Sequence, residues 1–430
     1  MKFTKIEIKD FQQFKDFELD LTYPVGHPKA GQPLEKVCFI GQSGTGKTTL
    51  LELLNSATSG NPNNYRLGNI SEIIFTQIHN DFLFYTSFEN RKLQNGGILN
   101  DPYKYVIKKD IEFNSVNELF DLIYFPANFI VNSENKFDVH NIKNPNLYLD
   151  FGFFDVNSIF DLIQADIQKY QELTLIYRNK LSLASETLDM NKIQQVVNEF
   201  KDWKKNNPSP IDDLADKCLD KILNRFALRV RREVSFEKKE DIGFVKIETF
   251  DGIEVPIALS STGTKQILLT ASPLFLLKPK NAIILFDEPE NSLFPDIQRL
   301  IVDYYTSFTN DCQFFYATHS PIIASSFDPA ERFILYFDET GKVKAKRGVA
   351  PKGDDSNDLL TKDFGLNTNL GIEGEIQFQE FISLKEKIRK ETDNNEKAVL
   401  INKYMTIGKA YNFGYDLKVI EDEANYKKHQ

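Results

Sequence analysis

Cysteine is scarce: Cys38, Cys218 and Cys312 are the only three in 430 residues, scattered and without a CxxC pair. That excludes a disulfide framework and a zinc hook or ribbon. The five histidines are scattered too, and no metal-ligand spacing connects them. Long apolar runs are missing. Stretches such as Gln266 to Leu277 and Ala282 to Phe286 are far too short to span a bilayer. The opening Met1-Lys2-Phe3-Thr4-Lys5-Ile6 lacks the apolar centre of a signal peptide, so a cytoplasmic protein with no membrane partner is expected. Positive charge is not in excess either. The net charge is −10, which excludes nucleic-acid binding through a general positive field. With 41% hydrophobic and 27% charged residues, the composition is that of one large or two medium globular domains.

Two local basic features remain as candidate DNA contacts. Arg225, Arg229, Arg231 and Arg232, with Lys238 and Lys239 following, read either as a solvated helix-to-strand junction or as a phosphate-contacting edge. Trp203 among Lys201, Lys204 and Lys205 reads either as an amphipathic helix end or as a base-stacking residue beside phosphate contacts.

Along the chain, Phe3, Ile6, Ile8 and then Phe17, Leu19, Leu21 alternate at period two and predict two strands over 2–22. Val37-Cys38-Phe39-Ile40 is wholly apolar, as in a buried parallel strand. Residues 72–90 and 104–126 are rich in aromatic and β-branched types and predict more strand. From Ser158, Ile159, Ile163, Ile167, Tyr170 and Leu173 fall at helical spacing, with Ser158 and Asp161 as a capping pair. Helix is expected to about Phe200, then again over Ile211 to Phe226 after the break Asn206-Asn207-Pro208-Ser209-Pro210. Strands are expected at 229–236 and 243–249. Residues 259–326 alternate helix and buried strand, which predicts an α/β core. After Pro351 the chain turns polar and then helical. Ile376, Phe381, Leu384 and Ile388 share one face, and Tyr404, Ile407 and Tyr411 another.

Gly41-Gln42-Ser43-Gly44-Thr45-Gly46-Lys47-Thr48 is a complete G-x-x-x-x-G-K-[ST] cradle, followed by Thr49, between a buried strand and a helix. Glycines let the backbone curl so that N–H groups point at phosphate oxygens, and the helix N-terminus adds partial positive charge. Lys47 is expected on the β- and γ-phosphates of ATP, and the Thr48 hydroxyl on Mg²⁺. Ile283-Ile284-Leu285-Phe286-Asp287-Glu288 is an apolar strand ending in two carboxylates, which packing alone does not favour. Asp287 is expected to hold Mg²⁺ and Glu288 to orient and polarise the attacking water.

Further segments place the chain among known P-loop proteins. Leu259-Ser260-Ser261-Thr262-Gly263-Thr264-Lys265-Gln266 resembles an ABC signature. Asp287-Glu288-Pro289-Glu290-Asn291-Ser292-Leu293 resembles the acidic strand with its D-loop, and Ala317-Thr318-His319-Ser320-Pro321 the switch-histidine strand. More narrowly, "MKFTKIEIKDFQQFKDFELDL", "DEPENSLFP" and "THSPIIASS" resemble the RecF/SMC-like ATPases that include the overcoming-lysogeny and Septu-type anti-phage ATPases. The resemblance covers residues 1–60 and 229–330. It implies an α/β P-loop ABC head, a mixed sheet core with an antiparallel β-subdomain. The cradle half is expected over 1–150, a helical insertion over 151–228, the signature half over 229–345 and a helical tail over 346–430.

The resemblance also implies a mechanism. Two heads meet face to face as a homodimer or higher homo-oligomer. The signature of one head, Ser260 or Ser261 with Gly263, caps the γ-phosphate held by the other. Asn291 and Ser292 form the D-loop, His319 senses the γ-phosphate, and Gln77 is the candidate Q-loop glutamine. Phe294 departs from the family pattern, standing where transporter D-loops have an acid.

Three functions follow. The first is an ATPase that drives or gates a separate effector, a nuclease or toxin, in anti-phage defence or DNA maintenance. No nuclease pattern stands in the chain itself. The second is a nucleotide-gated scaffold with little turnover. The third is a transporter ATPase subunit, which the long separation between Lys47 and Ser261 disfavours.

Overall fold

Two antiparallel strands open the chain, β1 (Lys2–Phe11) and β2 (Phe14–Asp20). Along β1, Phe3, Ile6 and Ile8 are buried while Lys5 and Glu7 between them stay partly exposed, the alternation a half-covered sheet requires. The computed structural model describes residues 2–59, 73–79, 82–92, 98–107, 121–129, 148–151, 159–232 and 245–414. After β3 (Lys36–Gly41) and α1 (Lys47–Ser59) come β4 (Ile73–His79), β5 (Phe82–Lys92) and β6 (Ile98–Ile107). These last three extend the opening pair into an antiparallel sheet of order β2-β1-β4-β5-β6. The strands β7 (Leu122–Phe125) and β8 (Tyr148–Asp150) belong to a different sheet.

A helical layer follows: α2 (Ile159–Glu186), α3 (Met190–Asn206), α4 (Pro210–Leu214), a π-helical turn over Ala215–Leu219, and α5 (Asp220–Leu223). The sequence predicts one helical run to Phe200. Instead the chain turns at Leu188, which takes a left-handed φ of 52°, and Asp189 caps a new helix by accepting from the amides of Asn191 and Lys192. The capping pair expected at Ser158 lies outside the described residues. A small antiparallel sheet comes next, β9 (Leu228–Val230), β10 (Ile247–Thr249) and β11 (Glu254–Val255). The strand expected over 229–236 ends at Val230 among the described residues.

The core then closes with α6 (Thr262–Leu277), β12 (Ile283–Asp287), α7 (Pro295–Thr306), β13 (Gln313–Ala317), α8 (Pro321–Ala324), β14 (Arg332–Phe337) and β15 (Val343–Arg347). The central sheet has order β15-β14-β3-β13-β12-β7-β8. Its neighbours are parallel except β15, which returns antiparallel on β14 and carries the sheet to Arg347, past the expected boundary at 345. Every residue of β12 and β13 is buried, so both faces of the sheet are covered. On one face Ile283, Leu285 and Phe315 pack with Leu50 and Leu54 of α1 and with Phe3 and Ile6 of β1. On the other, Phe286 stacks between Phe125, Tyr305 and Tyr316 with centroids 4.7, 4.8 and 5.0 Å away. The Tyr305 hydroxyl bonds Thr270 of α6 at 2.6 Å.

The chain divides into two compact units, Met1–Leu359 and Leu360–Gln430. After α9 (Ser356–Lys362), the second unit holds α10 (Ile372–Lys390) and α11 (Asn394–Tyr411), a hairpin closed by Phe381, Leu384 and Ile388 against Ile401, Tyr404 and Ile407. Ile376, expected on that face, is 61% exposed and stays outside the cluster. Among the described residues no helix is long and apolar enough to cross a membrane.

Candidate functional site

Parallel pairing brings several motifs to one edge of the central sheet. Asp287 is level with Ala317, and Ala317 with Phe39, so β3, β12 and β13 release their loops side by side. The loop after β3 is the cradle. Gly41 runs at φ 141° against the Leu335 backbone, where a side chain would collide with the carbonyl. Gly46 takes φ 85°, and a methyl there would lie 2.5 Å from the Phe14 ring. Only glycine fits either place. Gln42, Ser43 and Gly44 are exposed, Thr45 is buried with its hydroxyl on the Gln42 carbonyl, and Thr49 is half-buried in the first turn of α1.

Lys47 is buried at 6% exposure and donates to the carbonyls of Gly41 and Gln42 at 3.0 and 3.2 Å. Burial lowers its pKa, against the opposing pull of Glu288, Asp287 and Glu290. The Thr48 hydroxyl donates to Asp287 at 3.1 Å, joining the helix start to the strand end. Burial pushes the Asp287 carboxyl up to about 7; the Thr48 bond opposes this, and the nearby charges of Glu288, Glu52 and Glu290 add to it. One hydroxyl and one carboxylate, among further acids, is a hard-oxygen set that suits Mg²⁺ completed by phosphates and water. The same ion would relieve the crowding of negative charge.

Glu288 takes a left-handed φ of 45°, held by its amide on the Ala317 carbonyl at 2.8 Å. For a side chain of this type that conformation costs on the order of 1 kcal/mol. Its carboxylate lies 3.9 Å from Nε2 of His319, and both side chains are partly exposed. Burial lowers the His319 pKa, Lys47 lowers it further and Glu288 opposes. The imidazole is therefore neutral near neutral pH.

The signature region meets the D-loop within the chain. Ser261 is the N-cap of α6: its hydroxyl accepts from the Thr264 amide at 3.2 Å, and the residue is exposed. Ser260 is 8% exposed, with its hydroxyl on the Pro256 carbonyl. Gly263 is buried so closely that a methyl would lie 2.5 Å from the Ser292 carbonyl. Ser292 itself is left-handed at φ 60°, and Asn291 donates to the Ala127 carbonyl at 3.4 Å.

The structure places Gln77 and decides between the two readings of each basic feature. Gln77 stands within β4, paired with Phe3 and Phe84 in the antiparallel sheet, rather than after a strand; its side chain lies outside the described residues. The basic run is already neutralised. Arg225 pairs with Asp296, Arg229 with Glu248, Arg231 with Glu254, and Arg232 with Asp216 and Asp220, so these guanidiniums are not left for phosphates. Lys238 and Lys239 lie outside the described residues. Trp203 is packed against Tyr170, Tyr177 and Phe200 rather than presented for stacking on a base.

Sequence reasoning also missed supporting residues. Glu290 accepts from the His319 amide at 2.6 Å, and Gln298 accepts from the Ser320 hydroxyl at 2.6 Å. Gln13, on the β1–β2 turn, donates to the Gly44 carbonyl at 3.3 Å. The loop after β7 leaves the same sheet edge as Asp287, because Phe125 is level with Phe286. These contacts cross long stretches of chain and leave no local spacing to read.

No curated protein sequence matches this chain. Among solved structures, it is similar to an SMC head bound to the C-winged helix domain of ScpA (12% identity, 81% of this chain and 97% of that one, TM-score 0.42). It is similar to an SMC head domain from Thermotoga maritima (12%, 81% and 100%, 0.39). A third is the Smc head with an extended coiled coil bound to the C-terminal domain of ScpA, derived from Pyrococcus furiosus (12%, 89% and 99%, 0.43). The family model described as an AAA ATPase domain matches residues 1–324, three quarters of the sequence and every motif at the sheet edge. The chain belongs to the AAA ATPase domain family.

Proposed function

We propose that this chain binds and hydrolyses ATP with Mg²⁺ in a head-to-head dimer of the ABC, SMC-like type, and that the dimer gates a separate effector. The observation that carries the reading is the bond from Thr48 to Asp287. It joins the phosphate cradle to the acidic strand end in one hard-oxygen pair. Lys47 and the loop amides hold the β- and γ-phosphates. Thr48 and Asp287 would hold Mg²⁺, which would supply neutralising charge. Glu288 orients a water and accepts its proton as the water oxygen bonds to the γ-phosphorus and the bond to ADP breaks. The neutral His319 beside it is suited to hydrogen-bond the γ-phosphate.

The exposed N-cap of α6 supports a shared site. Ser261 and the first amides of a 16-residue helix offer a second N-terminus to the phosphate of another copy. Ser261, rather than the buried Ser260, is the serine suited to that role. Leu259 and Phe294, 79% and 71% exposed, flank the signature and the D-loop with apolar surface that a dimer would cover. The effector as a nuclease or toxin, in anti-phage defence or DNA maintenance in the cytoplasm, rests on the resemblance to overcoming-lysogeny and Septu-type ATPases.

The test is the solution mass of the Glu288→Gln chain with and without Mg·ATP, beside its turnover. ATP-dependent doubling with hydrolysis reduced by about a hundredfold or more is expected. A monomer in both conditions, or turnover equal to the parent, overturns the shared-site mechanism.

A further inference from the structure

The helical layer lines a half-open cavity of about 440 Å³, away from the motifs at the sheet edge. That volume is within the range of small-molecule sites. Gln171 and Thr174, one turn apart on α2, line it at 8% and 6% exposure. Among the described residues, neither the amide oxygen and nitrogen of Gln171 nor the hydroxyl of Thr174 has a hydrogen-bond partner. Each unmet buried polar group destabilises the fold, because its bonds to water are lost without replacement. Leucine and valine would fill the same space without that cost. Tyr170 borders the cavity, with its ring stacked on Trp203 at 5.2 Å. Arg178 of α2 and Lys204 of α3 line it as well, together with Asp212 and with Arg232, whose guanidinium is already bonded to Asp216 and Asp220.

We propose that this cavity binds a 5′-phosphorylated nucleoside, with the base on Gln171 and Thr174 and the phosphate toward Arg178 and Lys204. A glutamine amide pairs a donor with an acceptor, the pattern a base edge presents in return. An apolar ligand would leave all three polar atoms unmet, and a bare anion would leave the amide oxygen unmet. Guanidinium and ammonium groups give the strong hydrogen bonds a phosphate accepts. The ligand is either a free mononucleotide or the 5′-end of a strand.

The experiment uses the full chain carrying Lys47→Ala, so that the cradle does not contribute. Calorimetric titration with AMP, GMP, CMP and UMP, and with inorganic phosphate as control, measures binding. At least one monophosphate is expected to bind with one-to-one stoichiometry, and phosphate alone is not. Adding Gln171→Leu or Thr174→Val is expected to weaken that binding by about tenfold or more. The same two changes in the Lys47 background leave ATP binding at the cradle intact. A 5′-phosphorylated tetranucleotide that binds as tightly as the monomer identifies a strand end as the source, and loss of binding on lengthening identifies a free nucleotide. No binding by any monophosphate, or binding unchanged by Gln171→Leu while that variant merely melts higher, means a water-filled cavity and overturns the proposal.

Discussion

At the sheet edge, buried Lys47 and Asp287 find partners inside the chain, the loop carbonyls for one and Thr48 for the other. In the helical layer, Gln171 and Thr174 are buried to a similar degree and find none. The first region tolerates its buried charges by local bonds and by a tuned pKa. The second keeps neutral polar atoms unmet around an open volume. Partnered groups hold a loop in shape for a ligand whose position is set by backbone amides. Unpartnered groups leave recognition to the side chains themselves, so the two regions should respond differently to substitution.

The largest expected effect is at the cradle. Lys47→Ala should weaken ATP binding by about a thousandfold, measured by equilibrium titration. A loss under about tenfold would mean that the cradle recognises phosphate through its backbone alone, and the contrast with the helical layer would have to be redrawn.

The next effect belongs to Asp287. Its carboxyl titrates at about 7 rather than 3.8, so the folded chain keeps a proton that the unfolded chain releases between these values. The contribution of this one group to the stability of the nucleotide-free chain is therefore fully present below about pH 4 and is lost as pH rises toward about 7. Asp287→Asn should remove this slope. Near pH 8, without nucleotide or metal, the variant should be more stable by about 3 kcal/mol, and near pH 4 the two should coincide. Paired denaturation curves at the two pH values check this. A difference between parent and variant that stays constant from pH 4 to pH 8 would contradict the buried, proton-holding state. Added Mg·ATP should stabilise the parent and not the variant.

The smallest effect is at the junction of signature and D-loop. Gly263→Ala places a methyl 2.5 Å from the Ser292 carbonyl, a backbone atom with little freedom to move. We expect a loss of about 1–3 kcal/mol in thermal unfolding, together with reduced ATP turnover. Unchanged turnover in a stably folded Gly263→Ala chain would show that this contact is packing only. The sheet edge would then be a less connected unit than it looks beside the helical layer.

How much of this was legible beforehand follows the same division. The cradle and the acidic strand end are contiguous segments, because each wraps one ligand group with neighbouring residues. The order of buried strands around them was readable for a related reason, since strands covered on both faces are apolar throughout. The break at Leu188 and Asp189 was missed because hydrophobic spacing continues across it, and only the aspartate cap marks the new start. The basic run could be read as a solvated junction or as a phosphate-contacting edge because its partners, Asp216, Asp220, Glu248, Glu254 and Asp296, approach it only in the fold. Gln77, the candidate Q-loop glutamine, falls inside β4, and nothing in the sequence shows that this strand continues to His79.

The three thiols carry a practical consequence. Cys38 and Cys218 are fully buried and Cys312 nearly so. Burial raises all three, Cys218 to about 12. The reactive thiolate is thus almost absent at neutral pH, and alkylating dyes should leave the native protein unlabelled. A single cysteine introduced at the exposed Leu259 would then take a fluorophore without background. Distance measurements between labelled copies could follow any ATP-driven approach of two heads in real time.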